Sequence, residues 1–295
     1  MSNKKEHMKK TFTFLIVSIF FASLSFGQTE PKSSLLWEIT GKDLKQPSYL
    51  FGTIHIICKE DFFFPALVSE KFSKADKVFL EMDMDDPMMI LKMMQLLQLP
   101  KGQTIKQLFG DSAFKEFDKK YKEITGSSAI MFNTFKPFML MSMLTEKSLN
   151  CSSKESYEQT FIAMAAKQKK DIKGLETIED QVAVFDSIPD STEITNLKNM
   201  VLNFEKGKDE FKTLVAVYKT QDVDSMYRAT NQAPELMDAE NELLVKRNNK
   251  WIPVMKTNMQ QAACFFAVGA AHLGGDIGVI NLLRKQGFTV KPVKL

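Results

Sequence analysis

The chain has 295 residues, of which 44% are apolar and 25% charged, with 39 basic residues against 36 acidic ones. That composition supports a sizeable buried core and excludes a disordered or collagen-like chain. The surplus of +3 lies wholly in residues 1–27, leaving 35 basic and 35 acidic residues beyond them, so the basic isoelectric point gives no argument for nucleic acid.

Residues 1–27 carry the pattern of a secretory signal peptide. Lys4, Lys5, Lys9 and Lys10 precede an apolar run over residues 11–26, and Ser25 and Gly27 sit at −3 and −1 of a cleavage that leaves Gln28 first. The apolar run falls short of the roughly 20 residues that span a bilayer. The sequence thus predicts export to the periplasm or beyond, with membrane contact only through this signal. Residues 28–295 are expected to form one domain. The three cysteines, Cys58, Cys151 and Cys264, allow one bridge at most and do not say which.

Six short apolar segments read as buried strands: residues 35–39, 48–51, 77–80, 171–175, 264–268 and 288–293. Apolar spacings of three and four predict helices over residues 109–124, 194–204, 208–218, 233–245 and 277–286. Their alternation predicts an α/β fold with a central parallel or mixed sheet. Long helical stretches at residues 87–169 and 190–249 read as insertions packed against that sheet. Methionines at residues 82–94 include Met89 and Met93, which with Leu96 and Leu97 fit the buried stripe of a helix.

An internal echo singles out the candidate site. Tyr-Leu-Phe-Gly-Thr-Ile-His, ending at His55, is matched by Ala-Val-Gly-Ala-Ala-His, ending at His272. In both, an apolar strand runs into a glycine, Gly52 or Gly269, then two residues, then histidine, with a helix and a strand expected after it. His7 lies in the signal segment, so the two turns use every other histidine of the chain. Open α/β sheets bind ligands at the carboxyl ends of their strands, and neutral imidazole is a common metal ligand or general base. Glu81 and Glu176 end two further strands, with Asp83 and Glu179 close behind. Two histidines and a carboxylate form a familiar set for a divalent metal.

The ordered motifs Tyr-Leu-Phe-Gly-Thr-Ile-His-Ile, Phe-Leu-Glu-Met-Asp, Gly-Leu-Glu-Thr-Ile-Glu-Asp-Gln, Lys-Arg-Asn-Asn-Lys-Trp and Val-Gly-Ala-Ala-His-Leu-Gly-Gly resemble the TraB/GumN family, which includes the Tiki metalloproteases. The resemblance implies a metal-dependent hydrolase, plausibly a peptidase, on a fold related to the erythromycin-esterase and ChaN-like groups. Carried onto this chain, it implies His55, His272 and Glu81 as holders of a divalent metal (Mn, Co or Zn). Glu176, Arg247 and Asn248 are the implied catalytic residues, acting on a peptide or small-molecule substrate. Two competing expectations follow: haem or iron capture of the ChaN-like type, and ester hydrolysis without metal.

Overall fold

The computed structural model describes residues 31–41, 43–232 and 240–295; the signal segment and most of the helix expected over residues 233–245 lie outside the described residues. All six expected strands form, and one six-stranded sheet contains them all. They are β1 (Leu36–Thr40), β2 (Ser48–Thr53), β4 (Lys77–Leu80), β6 (Ile172–Gly174), β7 (Cys264–Gly269) and β8 (Thr289–Val293), in the order β6-β4-β7-β2-β1-β8. Two short strands, β3 (Ile57–Cys58) and β5 (Lys154–Glu155), pair antiparallel outside it.

The sheet is mixed, as expected. β6, β4, β7 and β2 run parallel, while β1 runs against both β2 and β8. Parallel strands need a crossover, and the helix Ala66–Lys74 supplies one between β2 and β4, stepping over β7. Strand residues point alternately to two faces. Phe51, Val78, Leu80 and Phe265 pack on one face with Phe72, Phe161 and Tyr218. Leu50, Phe79, Phe266 and Val268 pack on the other with Trp251, Met255 and Leu283. Both faces are covered, which is why the central strands read as unbroken apolar runs rather than as alternating ones.

The helical stretches depart from the expectation that they simply pack on the sheet. Ile105, Phe109, Phe117, Tyr121, Leu140, Leu144, Ile194 and Leu197 form a separate core. It joins the helices Ile105–Phe109, Asp111–Thr125 and Pro137–Ser148 to Asp190–Leu202. The helix expected over residues 109–124 is divided at Gly110, whose φ of 78° lies where only glycine is comfortable. The helix Tyr157–Gln168 does pack on the sheet, through Tyr157 and Phe161.

The methionine stripe is only half-buried, and on one side. Met89, Met93 and Leu96 lie against Ile178 and Val182, while Met88, Ile90, Leu91 and Met94 are exposed. Among the described residues, no helix is long and apolar enough to cross a membrane.

Candidate active site at the sheet edge

The parallel strands β6, β4, β7 and β2 end at the same edge, so the residues that follow them stand in a row. In sheet order these are Glu176, Glu81, His272 and His55. The β4–β6 ladder continues past the strands, with Leu175 N–H donating to Leu80 O at 2.9 Å and Glu176 N–H to Glu81 O at 3.0 Å. Gly174 permits this approach: a Cβ there would meet Glu176 O at 2.4 Å and Asp83 N at 2.8 Å. The two Gly-x-x-His turns are neighbours as well, because β2 pairs β7. Their register is offset by one residue, Thr53 rather than Gly52 lying opposite Gly269.

Gly269 is the floor of the site. A Cβ there would stand 3.4 Å from Glu81 Oε1, 3.5 Å from His272 Cδ2 and 4.0 Å from His55 Nε2. Its N–H donates to Glu81 Oε1 at 2.8 Å. Gly52 lies behind, where a Cβ would press on Ala270 at 3.1 Å, so each motif glycine allows close packing at the turn.

The π-helical turn Asn241–Lys246 leads into the helix Arg247–Met259, whose first two residues grip opposite edges of the His272 ring. Asn248 Nδ2 donates to Ile277 O at 2.9 Å and to His272 O, which turns Oδ1 toward His272 Nδ1, 2.7 Å away. His272 therefore carries its proton on Nδ1 and presents the Nε2 lone pair to the site. Arg247 Nη1 donates to that nitrogen at 3.2 Å. Desolvation, aided by the Arg247 charge, lowers the His272 pKa to about 3, so the ring is neutral. Trp251 packs 4.5 Å from the ring and 5.0 Å from the guanidinium.

Arg247 bridges the two acids. Its Nη2 donates to Glu81 Oε2 and Glu176 Oε1, both at 2.6 Å, and its Nε reaches both Glu176 oxygens at 3.0 and 3.1 Å. Trp251 Nε1 donates to Glu176 Oε2, and the Glu176 side chain has 0% exposure. Two carboxylates share this one guanidinium. Glu81 is desolvated, yet Arg247 first and the histidines after it hold its carboxyl well below the usual carboxylate range. Burial pushes the enclosed Glu176 carboxyl up, against the pull of Arg247.

His55 differs from His272 in exposure and in charge. Its side chain is 67% exposed, and its Nδ1 lies 3.1 Å from Glu158 Oε1. Desolvation pulls the imidazolium down, but the hydrogen bond and charge of Glu158 outweigh it and raise the pKa to about 9. Glu158 also accepts from Thr53 Oγ1 at 2.7 Å and Ser156 Oγ at 3.0 Å.

Sequence reasoning missed Glu158. It sits in the first turn of the helix Tyr157–Gln168 behind the cap Ser156, where an acid reads only as a partner of the helix dipole. The two other acids noted near the site do not join it. Asp83 is exposed, with its pKa raised by partial desolvation and by the neighbouring Asp85, and Glu179 is an exposed residue in the first turn of the helix Ile178–Asp186.

Both histidines spend Nδ1 on an orienting partner, the arrangement that metal-ligating histidines use; His55 leaves Nε2 facing Gly269, while His272 Nε2 accepts from Arg247 Nη1. His272 Nε2 and Glu81 Oε1 are 4.0 Å apart, close to twice a usual metal–ligand distance of about 2.1 Å. A separation that wide would place an ion almost on the line between the two donors, so they must close by a few tenths of an ångström to hold one tetrahedrally, and His55 stands farther off still. The donor atoms of His55, His272 and Glu81 do not all lie within 4.8 Å of one another. Among the described residues the trio that does is Cys58, Glu60 and Cys151, whose cysteines are joined as a disulfide and so offer no thiolate.

Fold and site together define an α/β protein with a histidine–carboxylate–arginine centre across four parallel strand ends. A model of the TraB/PrgY/gumN family matches residues 35–292, and the chain belongs to that family. Its relatives include Metalloprotease TIKI2 of Danio rerio, 22% identical over 314 residues, which cover 88% of this chain and 61% of the relative. Metalloprotease TIKI homolog of Nematostella vectensis is 21% identical, covering 89% and 67%. Metalloprotease TIKI1 of Homo sapiens is 22% identical, covering 90% and 63%. The chain thus spans about three-fifths to two-thirds of the length of these relatives. No solved structure matches.

Proposed function

We propose that the chain is an exported divalent-metal-dependent hydrolase that cleaves peptide bonds. The observation that carries this reading is the pair of histidines on adjacent parallel strand ends, each with Nδ1 engaged by an orienting partner and its ring against the floor at Gly269. His55, His272 and Glu81 would hold the ion, which when bound lowers the pKa of an attacking water and polarises the scissile carbonyl. The relatives' description as metalloproteases supports peptide as the substrate class.

The chain's own groups have distinct tasks in this reading. Arg247 holds Glu81, Glu176 and His272 in place, with Nη1 divided between His272 Nε2 and Leu243 O, and supplies positive charge beside the reacting carbonyl. Glu176, which the family resemblance implied as catalytic, has both side-chain oxygens on Arg247 and Trp251 and a fully buried side chain. It serves here as the clamp that positions Arg247. Asn248 sets the His272 tautomer. Beside the clamp opens a cleft of about 470 Å³ lined by Met82, Asp83, Glu176, Glu179 and Lys250. That volume lies within the usual range for ligand sites, and it is the space assigned to substrate side chains.

Export is supported by the signal pattern of residues 1–27 and by the Cys58–Cys151 disulfide, a bond that persists in oxidising compartments. The reading is tested by incubating purified chain with a peptide library, with and without chelator. Cleavage that chelator abolishes and Mn²⁺, Co²⁺ or Zn²⁺ restores is expected. Ester cleavage indifferent to chelator, or a Soret band on haem titration without cleavage, would instead establish one of the competing functions.

A further inference from the structure

The loop that carries His55 is tied to a distant part of the chain by three independent features. β3 begins two residues after His55 and pairs with β5, setting Ile57 opposite Glu155 and Cys58 opposite Lys154. Cys58 is disulfide-bonded to Cys151, 93 residues away in sequence. Lys59 N–H donates to Ser153 O at 3.0 Å. The arm so fastened runs directly into Ser156 and Glu158, and Glu158 meets His55 Nδ1.

A carboxylate can only accept, so the proton shared with Glu158 Oε1 belongs to His55 Nδ1. Thr53 donates to the same oxygen and Ser156 to Oε2, so both carboxylate oxygens are held and the plane is fixed. Thr53 lies inside the Gly-Thr-Ile-His turn itself, so the turn supplies two of the donors that hold its own orienting acid. Among the described residues no such clamp of carboxylate, hydroxyl and bridge surrounds His272, which is oriented by Asn248 from within the core.

We propose that Glu158 is the positioning residue of the exposed histidine. Held by the Cys58–Cys151 arm, it keeps His55 in the Nδ1–H form with Nε2 turned to the site. The proposal rests on the hydrolase reading for its consequence, metal affinity, but its direct readout needs no metal.

The test is ¹⁵N NMR of the histidine rings in the full metal-free chain, recorded at alkaline pH where the rings are neutral, with signals assigned by single variants of His7, His55 and His272. His55 is expected as the Nδ1–H tautomer. In Glu158→Ala it is expected to shift to a mixture rich in the Nε2–H form, and Glu158→Gln, which keeps an acceptor oxygen, should restore Nδ1–H. The paired variant Cys58→Ser/Cys151→Ser should shift in the same direction as Glu158→Ala. Zn²⁺ affinity in Glu158→Ala should fall about 10–100-fold. An unchanged Nδ1–H tautomer in Glu158→Ala overturns the proposal, and an unchanged tautomer in the serine pair overturns the part assigned to the arm. If the unaltered chain binds no Zn²⁺, the hydrolase reading fails while the ring tautomers still decide the role of Glu158.

Discussion

Arg247 is the residue on which the site's electrostatics turn. It is the cation that bridges Glu81 and Glu176, and its removal leaves two buried carboxylates facing each other. Arg247→Met is therefore expected to destabilise the chain by about 3–5 kcal/mol, measured by urea unfolding. Arg247→Lys should also fail to restore the site, because a point charge cannot reproduce the fork that serves both acids and His272.

The histidines give a second residue-scale prediction. His272, with its pKa lowered to about 3, binds its proton more readily unfolded than folded. Its contribution to stability is thus present above an unfolded pKa of about 6.5 and declines as pH falls from there toward 3. His55 is the opposite case. Its contribution is present below about 6.5 and is lost as pH rises toward 9. NMR titration should show His272 neutral throughout the neutral range and His55 charged up to about 9. Much of this was hidden at the sequence level, because both histidines end the same four-residue pattern. The difference lies in partners 103 and 24 residues away, Glu158 and Asn248, whose contact no local spacing reveals.

At the scale of elements, the strands were legible and the approach of their ends was not. Residues 77–80 are charged at the start and apolar after, and β4 occupies those four positions. The echoed turns implied two histidines at one edge. That β7 would lie between β2 and β4, bringing His272 between His55 and Glu81, is a matter of topology. The helices beyond β4 were visible as periodic stretches, but the separate core they share through Phe117, Leu140 and Leu197 depends on pairing between distant segments. The closeness of β4 and β6 makes a prediction of its own. Gly174→Ala would force backbone atoms apart, since the new Cβ would fall 2.4 Å from Glu176 O. A loss of about 1–3 kcal/mol in unfolding free energy is expected, together with weaker metal binding as Glu176 and Glu81 separate.

For the whole molecule, the disulfide joins the first Gly-x-x-His turn to the arm that enters the helix Tyr157–Gln168, closing a long loop around the helical core. Reducing it, or replacing both cysteines with alanine, should lower stability by about 2–5 kcal/mol in thermal or denaturant unfolding. Cys264, buried in β7, should be untouched by thiol reagents in the folded chain.

The central claim is that the two Gly-x-x-His turns build one metal site, and metal titration of purified variants tests it most directly. Isothermal titration of Zn²⁺ or Mn²⁺ into the unaltered chain, His55→Ala, His272→Ala and the double variant should show one ion per chain in the first. Each single variant should weaken binding by about 100-fold or more, with the double variant little worse than the His272 change, as expected for ligands acting as one unit. Binding that survives both substitutions with unchanged stoichiometry and affinity would contradict the account.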